Sequence, residues 1–115
     1  MSFADRVLAD YQQAMAVSGE DIAMRRFSGT PQSRTHADTT VRAKVAGYEP
    51  TELIGSIVQG DRKVICLVDT LSGLLPVTTA DKLVIRGKEV AIKAVDDSTR
   101  RVDGTLIALE IQAAG

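Results

Sequence analysis

The chain has no tryptophan, two phenylalanines, two tyrosines and a single cysteine in 115 residues. With only Phe3, Phe27, Tyr11 and Tyr48 as aromatics, the core must be built from Val, Ile, Leu and Ala, and a surface for stacking on bases or sugars is disfavoured. The lone Cys66 excludes an intramolecular disulfide and fits a reducing compartment. A dominant charge is missing too. Fourteen basic residues against fifteen acidic ones leave a net charge of −1. A domain devoted to gripping a phosphate backbone is usually clearly basic, so dedicated nucleic-acid binding is not favoured. The two signs are interleaved, which describes a wet, mixed surface. No apolar run approaches the ~20 residues that cross a bilayer. Residues 1–20 lack a basic start followed by an apolar run, so no secretory signal is expected. The expectation is a protein made and used in the cytoplasm, or in an assembly built there. The length is that of one domain, 1–115. Such a chain can bury roughly two thirds of its unfolded surface without disulfide or metal.

What is present is β patterning. Residues 81–112 read as LVI, a tight turn at Arg86-Gly87-Lys88, EVAIKAV, a long polar turn over 96–103, and TLIALEI. Gly87 accepts the positive φ of a hairpin turn. No GxGxxG or GxxxxGK[ST] surrounds it, so it is not part of a phosphate loop. Upstream, Phe3, Val7, Tyr11 and Met15 recur every four residues and predict an amphipathic helix over 3–17. Ser2 can cap its start, with Asp5 three residues on. Ser18-Gly19 ends it, the glycine being suited to a left-handed cap. Strands are expected at 22–27 and at 39–46, where Val41, Ala43 and Val45 alternate with Arg42 and Lys44. Two more are expected at 56–58 and 62–69, the latter apolar on both faces in its middle and so placed centrally in a sheet. Residues 51–54 read as a single helical turn. Two polar connections, 28–38 and 70–80, have lengths at which loops become functional or disordered. The predicted class is α+β: mainly an antiparallel β-sandwich or small open barrel over 22–112, with one N-terminal helix and long mobile loops.

Several features stand in one order: the helix, the polar mid-chain loop, ELIGSIVQGDRKVICLVD over 52–69, Pro76, and DKLVIRGKEVAIKAV over 81–95. Asp81, Leu83, Ile85, Gly87, Ile92 and Val95 carry the second stretch, and Gly60-Asp61 opens the strand RKVICLV. This order resembles the head–tail joining proteins of tailed bacteriophages, the small neck, head-closure or stopper proteins of lambda-like siphophages and prophages. The likeness covers most of 52–112 and, more loosely, the helix. It implies a structural virion protein that forms a ring between the portal vertex and the tail, helps retain packaged DNA, and offers the tail a docking surface. The implied partners are a portal or head-completion protein, a tail protein and further copies of the chain, with packaged DNA in the channel as one more candidate. The implied location is the neck of the virion. No membrane, small-molecule substrate, cofactor or metal is expected.

No residue pattern has catalytic spacing, so an enzyme is not expected. His36 is the only histidine, and one histidine with one cysteine thirty residues away gives no metal-ligand spacing; a solvated loop histidine is the simpler reading. Cys66 lies between Ile65 and Leu67 in the most apolar strand, where a thiol is inert. Asp96-Asp97 and Arg100-Arg101 flank the long turn. Adjacent carboxylates in water rarely divide acid and base roles, although loops carry binding sites out of proportion. Arg25, Arg26, Arg34, Arg42 and Lys44 form the densest basic neighbourhood. With His36, Arg100 and Arg101 they are the candidate assembly-interface or DNA-facing residues. A mixed wet face with Glu20, Asp21 and Asp38 competes with that reading. The other function classes are a small OB-type β-barrel for nucleic acid, which uses strand aromatics and a basic groove, a phage tail-end or adaptor protein, and an enzyme using loop Asp or Arg. In the neck reading, connections 28–38 and 70–80 order only against neighbours, and the conformational entropy this costs keeps free subunits monomeric.

Overall fold

The computed structural model of the protein describes residues 2–30, 32–48, 55, 57, 60–71, 76–102 and 104–114. Helix α1 (Phe3–Ser18) starts on a reciprocal cap. The Ser2 hydroxyl accepts the Asp5 N–H at 3.1 Å, and the Asp5 carboxylate accepts the Ser2 N–H at 3.3 Å. These bonds satisfy amides that have no partner within the helix. The helix ends at Gly19 as expected, but not through a left-handed cap. Gly19 is extended, with φ −85° and ψ 176°. Space is what excludes a side chain, since a Cβ there would lie 2.6 Å from the Met15 carbonyl oxygen. Arg42 completes the helix end: its Nε donates to the Met15 carbonyl at 3.0 Å and its Nη2 to that of Ala16 at 3.4 Å. A cation thus meets the negative end of the helix dipole.

The strands are β1 (Glu20–Ser28), β2 (Thr35–Gly47), β3 (Arg62–Leu67), β4 (Lys82–Ile85), β5 (Lys88–Asp96), β6 (Arg101–Val102), β7 (Thr105–Leu106) and β8 (Ala108–Ala113). Six of them form an antiparallel barrel in the order β1-β2-β3-β8-β5-β4, closed by β4 pairing back on β1. The predicted α+β class, a small antiparallel barrel with one N-terminal helix, is the observed one, and the ring is closed where an open one was expected. The C-terminal meander is there as β4-β5-β8. A short β6–β7 ribbon is inserted where a plain polar turn was expected. TLIALEI therefore divides at Ile107, whose N–H bonds to the Arg100 carbonyl at 3.0 Å. At the first turn Ile85 pairs with Lys88 across Arg86 (φ 51°) and Gly87 (φ 81°). Two positive φ values in a two-residue link match the natural strand twist.

Strand alternation sends one set of side chains inward. Ile22, Met24, Val41, Ala43, Val64, Cys66, Leu83, Ile85, Val90, Ile92, Leu109 and Ile111 make the buried cluster, joined by Leu71 and Val77. No aromatic is among them, and aliphatic side chains fill a barrel of this size. Residues 68–69, expected to continue β3, belong instead to a 3-10 turn (Val68–Thr70). The polar stretch 28–38 is less of a loop than its composition suggested. Thr35 to Asp38 belong to β2, in register from Ser28↔Thr35 to Arg25↔Asp38, so the link itself is only 29–34. Cross-strand pairs stabilise this polar ribbon in place of apolar burial. The helical turn expected at 51–54 lies outside the described residues, as do Ser56 and Val58 of the strand expected at 56–58 and the middle of the 70–80 connection.

Candidate functional site

β1 pairs with β4 only from Ala23 to Arg25, yet its pairing with β2 runs on to Ser28. β2 in turn meets β3 only from Ala43 onward. Residues 26–28 and 35–38 therefore leave the barrel as a two-stranded arm. Alternation puts Arg25 and Phe27 on its outer face beside His36 and Asp38, and Arg26 on the face continuous with the barrel interior.

On the outer face Arg25 grips Asp38 with two bonds, Nε to Oδ1 at 2.8 Å and Nη2 to Oδ2 at 2.9 Å. Glu89 lies 3.9 Å from the same guanidinium. The bonds from Arg25 hold the Asp38 carboxyl below its ordinary range, and those to Asp38 raise Arg25 in turn. His36 Nδ1 sits 3.3 Å from Asp38 Oδ1. Its ring meets Phe27 edge-on at 5.9 Å. The Arg34 guanidinium lies 3.9 Å from the centroid of the Phe27 ring, a cation–π arrangement. On the inner side Arg26 holds Asp81 through Nε and Nη2, each at 3.0 Å, and donates to the Pro76 carbonyl at 3.1 Å. The Thr78 N–H also bonds to Asp81, at 3.1 Å. Burial alone would push the Asp81 carboxyl up. The bonds from Arg26 and Thr78 and the charge of Arg26 outweigh it, so it lies below the ordinary value. Arg26 is thus a strut from the root of the arm to the segment leading into β4.

Of the remaining candidates, Arg42, Arg100 and Arg101 are engaged elsewhere in the fold. Arg42 caps α1 and pairs with Asp21 at 3.2 Å. Arg100 donates to the Tyr11 hydroxyl at 2.8 Å and to Glu110 at 2.9 Å, tying α1 to β8. Arg101 donates to the carbonyls of Asp97 and Gly104 at 2.7 and 3.0 Å, inside its own turn. Lys44 is exposed on the outer side of β2. The structure therefore gathers Arg25, Arg34 and His36 around Phe27, and does not bring Arg26, Arg42, Lys44, Arg100 or Arg101 to that cluster. Sequence reasoning passed over Phe27 as a member. The signal was an aromatic residue directly after two arginines at the end of a predicted strand.

Two further features bear on chemistry. A groove of about 270 Å³ is lined by Pro76, Val77, Val95, Asp97, Arg101, Leu106 and Leu109. Its one cation, Arg101, already bonds to two carbonyls. Asp61 is buried and accepts from Lys93 at 2.7 Å and Gln112 at 3.1 Å, beside the register shift between Ile92 and Ala94 in β5. Among the described residues no three of His, Cys, Asp and Glu gather to hold a metal ion. Burial pushes the Cys66 thiol up to about 12, the opposite of what a nucleophilic thiolate needs. No described helix is long and apolar enough to cross a membrane. No family model matches the sequence, and no curated protein does.

Proposed function

We propose that the chain is a structural assembly protein, a ring subunit of the neck that joins the portal side of a tailed-phage head to the tail and helps retain packaged DNA. The observation that carries an assembly role is the arm: a preformed two-stranded projection on a closed barrel whose interior is filled with aliphatic side chains. With its interior filled, such a barrel meets partners through its outside, and a projecting ribbon reaches further than the barrel wall. The neck assignment itself comes from the likeness over residues 52–112.

The physical mechanism follows from the division of labour. The barrel keeps its shape without a partner, so its surfaces are preorganised and little entropy is lost there on docking. Each subunit contact in a ring can be weak, because neighbours held on a template raise one another's effective concentration. The free chain is then monomeric at low concentration. The test mixes the purified chain with portal rings, and separately with tails, encoded beside it in the same genome, and images both by negative stain. The reading expects a ring of added density on one of the two. A chain that binds neither, in the presence of the other neck components, refutes it.

A further inference from the structure

We infer that the outer flank of α1, the line Phe3, Val7, Asp10, Ala14 and Val17, is a docking seam for an amphipathic helix of another polypeptide, one that carries a lysine or arginine midway along its apolar face. The inference goes beyond the neck reading, which rests on the arm.

The barrel covers α1 only in part. Of its sixteen residues Met15 alone is buried. Ala4, Val7, Leu8 and Tyr11 are half-buried. Tyr11 and Gln12 tie the helix down, through Arg100 at 2.8 Å and Asp69 at 2.6 Å. A second apolar line runs along the flank. Phe3, Val7, Asp10, Ala14 and Val17 are spaced four, three, four and three residues apart, the heptad spacing of a helix–helix seam. Phe3 is 64% exposed and Val17 85%, and these are the exposed large apolar side chains among the described residues. They stand about 21 Å apart along the helix axis.

Single apolar residues on a surface are ordinary. Two on one helix line, with Ala14 exposed between them, form a stripe. Phe and Val also weaken an exposed helix relative to Ala. In the free chain they give up helix stability and gain no burial for it. At Val7 the seam borders a hollow of about 200 Å³ between α1 and the β6–β7 ribbon, whose apolar lining is Val7, Tyr11, Val102 and Ile107. A partner's apolar side chain can enter there.

Charge selects the occupant. Asp10 stands at the midpoint of the seam, seven residues from Phe3 and seven from Val17. A second copy laid on the seam by a two-fold axis brings Asp10 against its own counterpart, whether the helices run parallel or antiparallel. Like charges pressed together inside an apolar contact oppose it. Sliding an antiparallel copy by one heptad avoids the clash but uncovers Phe3 or Val17. A head-to-tail contact would have to seat the seam elsewhere on the second copy. No other large apolar side chain is exposed among the described residues. The groove beside Arg101, of about 270 Å³, takes one side chain and not a line of about 21 Å. A foreign helix meets neither obstacle. All fourteen Lys and Arg residues are among those described, and none pairs with Asp10. Arg6, one turn earlier, is exposed and makes no bond to it. The carboxylate is left for a cation of the partner, and one charged position in a heptad seam also fixes the register.

The probe is the capped peptide Leu-Gln-Ala-Gln-Leu-Ala-Gln-Lys-Ala-Gln-Ala-Leu-Gln-Ala-Leu, which matches the spacing of the seam with lysine at its midpoint. Its counterpart carries glutamate there. Each is titrated into isotope-labelled full-length protein and followed by amide NMR, because a helix this short is marginal alone and binds weakly. The expected result is shift changes confined to α1 and the neighbouring 99–107, with the glutamate peptide bound about tenfold more weakly. Asp10→Lys reverses the preference. Val17→Gln, at a side chain already in water, keeps the wild-type unfolding midpoint and weakens the lysine peptide about tenfold. No shift along α1, equal binding of the two peptides, a preference unmoved by Asp10→Lys, unchanged affinity in Val17→Gln, or a wild-type dimer held through α1 in light scattering overturns the inference. A chain that adds to portal rings or tails but ignores the lysine peptide overturns this inference alone. One that takes the peptide but adds to neither portal nor tail overturns only the neck reading.

Discussion

β1 belongs to two regions with different physics. Its first half sends Ile22 and Met24 into the barrel, where they join Val41, Leu83 and Ile111 in a buried cluster that holds no aromatic side chain. Its second half carries Arg25, Arg26 and Phe27 into the arm, where the same hydrogen-bonded ladder continues but the side chains meet Asp38, Asp81, Arg34 and His36. The barrel is held by removing apolar surface from water, which is strong, does not titrate and is not screened by salt. The arm is held by paired polar groups near solvent, which are individually weak. One continuous strand can thus end in a scaffold on one side and an adaptable contact on the other.

Substitutions should separate the two regions, and the largest effect belongs to the barrel. Leu109 is almost fully buried. Leu109→Ala should cost about 3 kcal/mol, read as a fall in the denaturant midpoint. Next comes the strut where arm meets barrel. Asp81→Ala leaves Arg26 without its carboxylate and should cost roughly 2 kcal/mol. The same group sets an acid limb. Its folded pKa lies below the unfolded one, so the stability it lends is complete above the ordinary carboxylate value of ~4 and is lost as pH falls through the folded value. Asp81→Asn should flatten stability against pH in that acid window and leave the neutral-to-alkaline dependence unchanged. A smaller effect is expected at the helix. Arg42→Ala uncaps α1 and should cost about 1 kcal/mol, with helical ellipticity lost ahead of the barrel signal on heating. Smallest is Phe27→Ala, below about 1 kcal/mol in stability. If the arm is the contact, this change should nonetheless reduce assembly more than Leu109→Ala does under conditions where both variants are folded.

Much of the barrel was legible because its signals are local. Four-residue spacing from Phe3 to Met15 marks the helix, Arg86-Gly87 marks a tight turn, and alternation from Val41 to Val45 marks a strand with one wet face. The arm was not, because Thr35 to Asp38 show no apolar alternation. They become strand through partners across the hairpin, Asp38 with Arg25 and His36 with Phe27, which no window along the chain reveals. Closure of the ring depends on Ala23 meeting Val84, a pairing between distant segments that neither segment encodes alone. The basic neighbourhood was visible, but its division was not. Whether an arginine faces a neighbour or solvent depends on groups such as Asp81, 55 residues from Arg26 in sequence. Cys66 behaved as its flanking residues implied, and a thiol reagent should label it only on unfolding.

The most direct measurement is residue-resolved hydrogen exchange on the isolated chain. Amides of β3, β4, β5 and β8 should exchange only through global unfolding. Those of 35–38, in the arm, should exchange faster, through local opening that leaves the barrel intact. An arm as slow as the barrel, or exchange in the barrel strands as fast as in the arm, would contradict a rigid barrel bearing a weakly held arm.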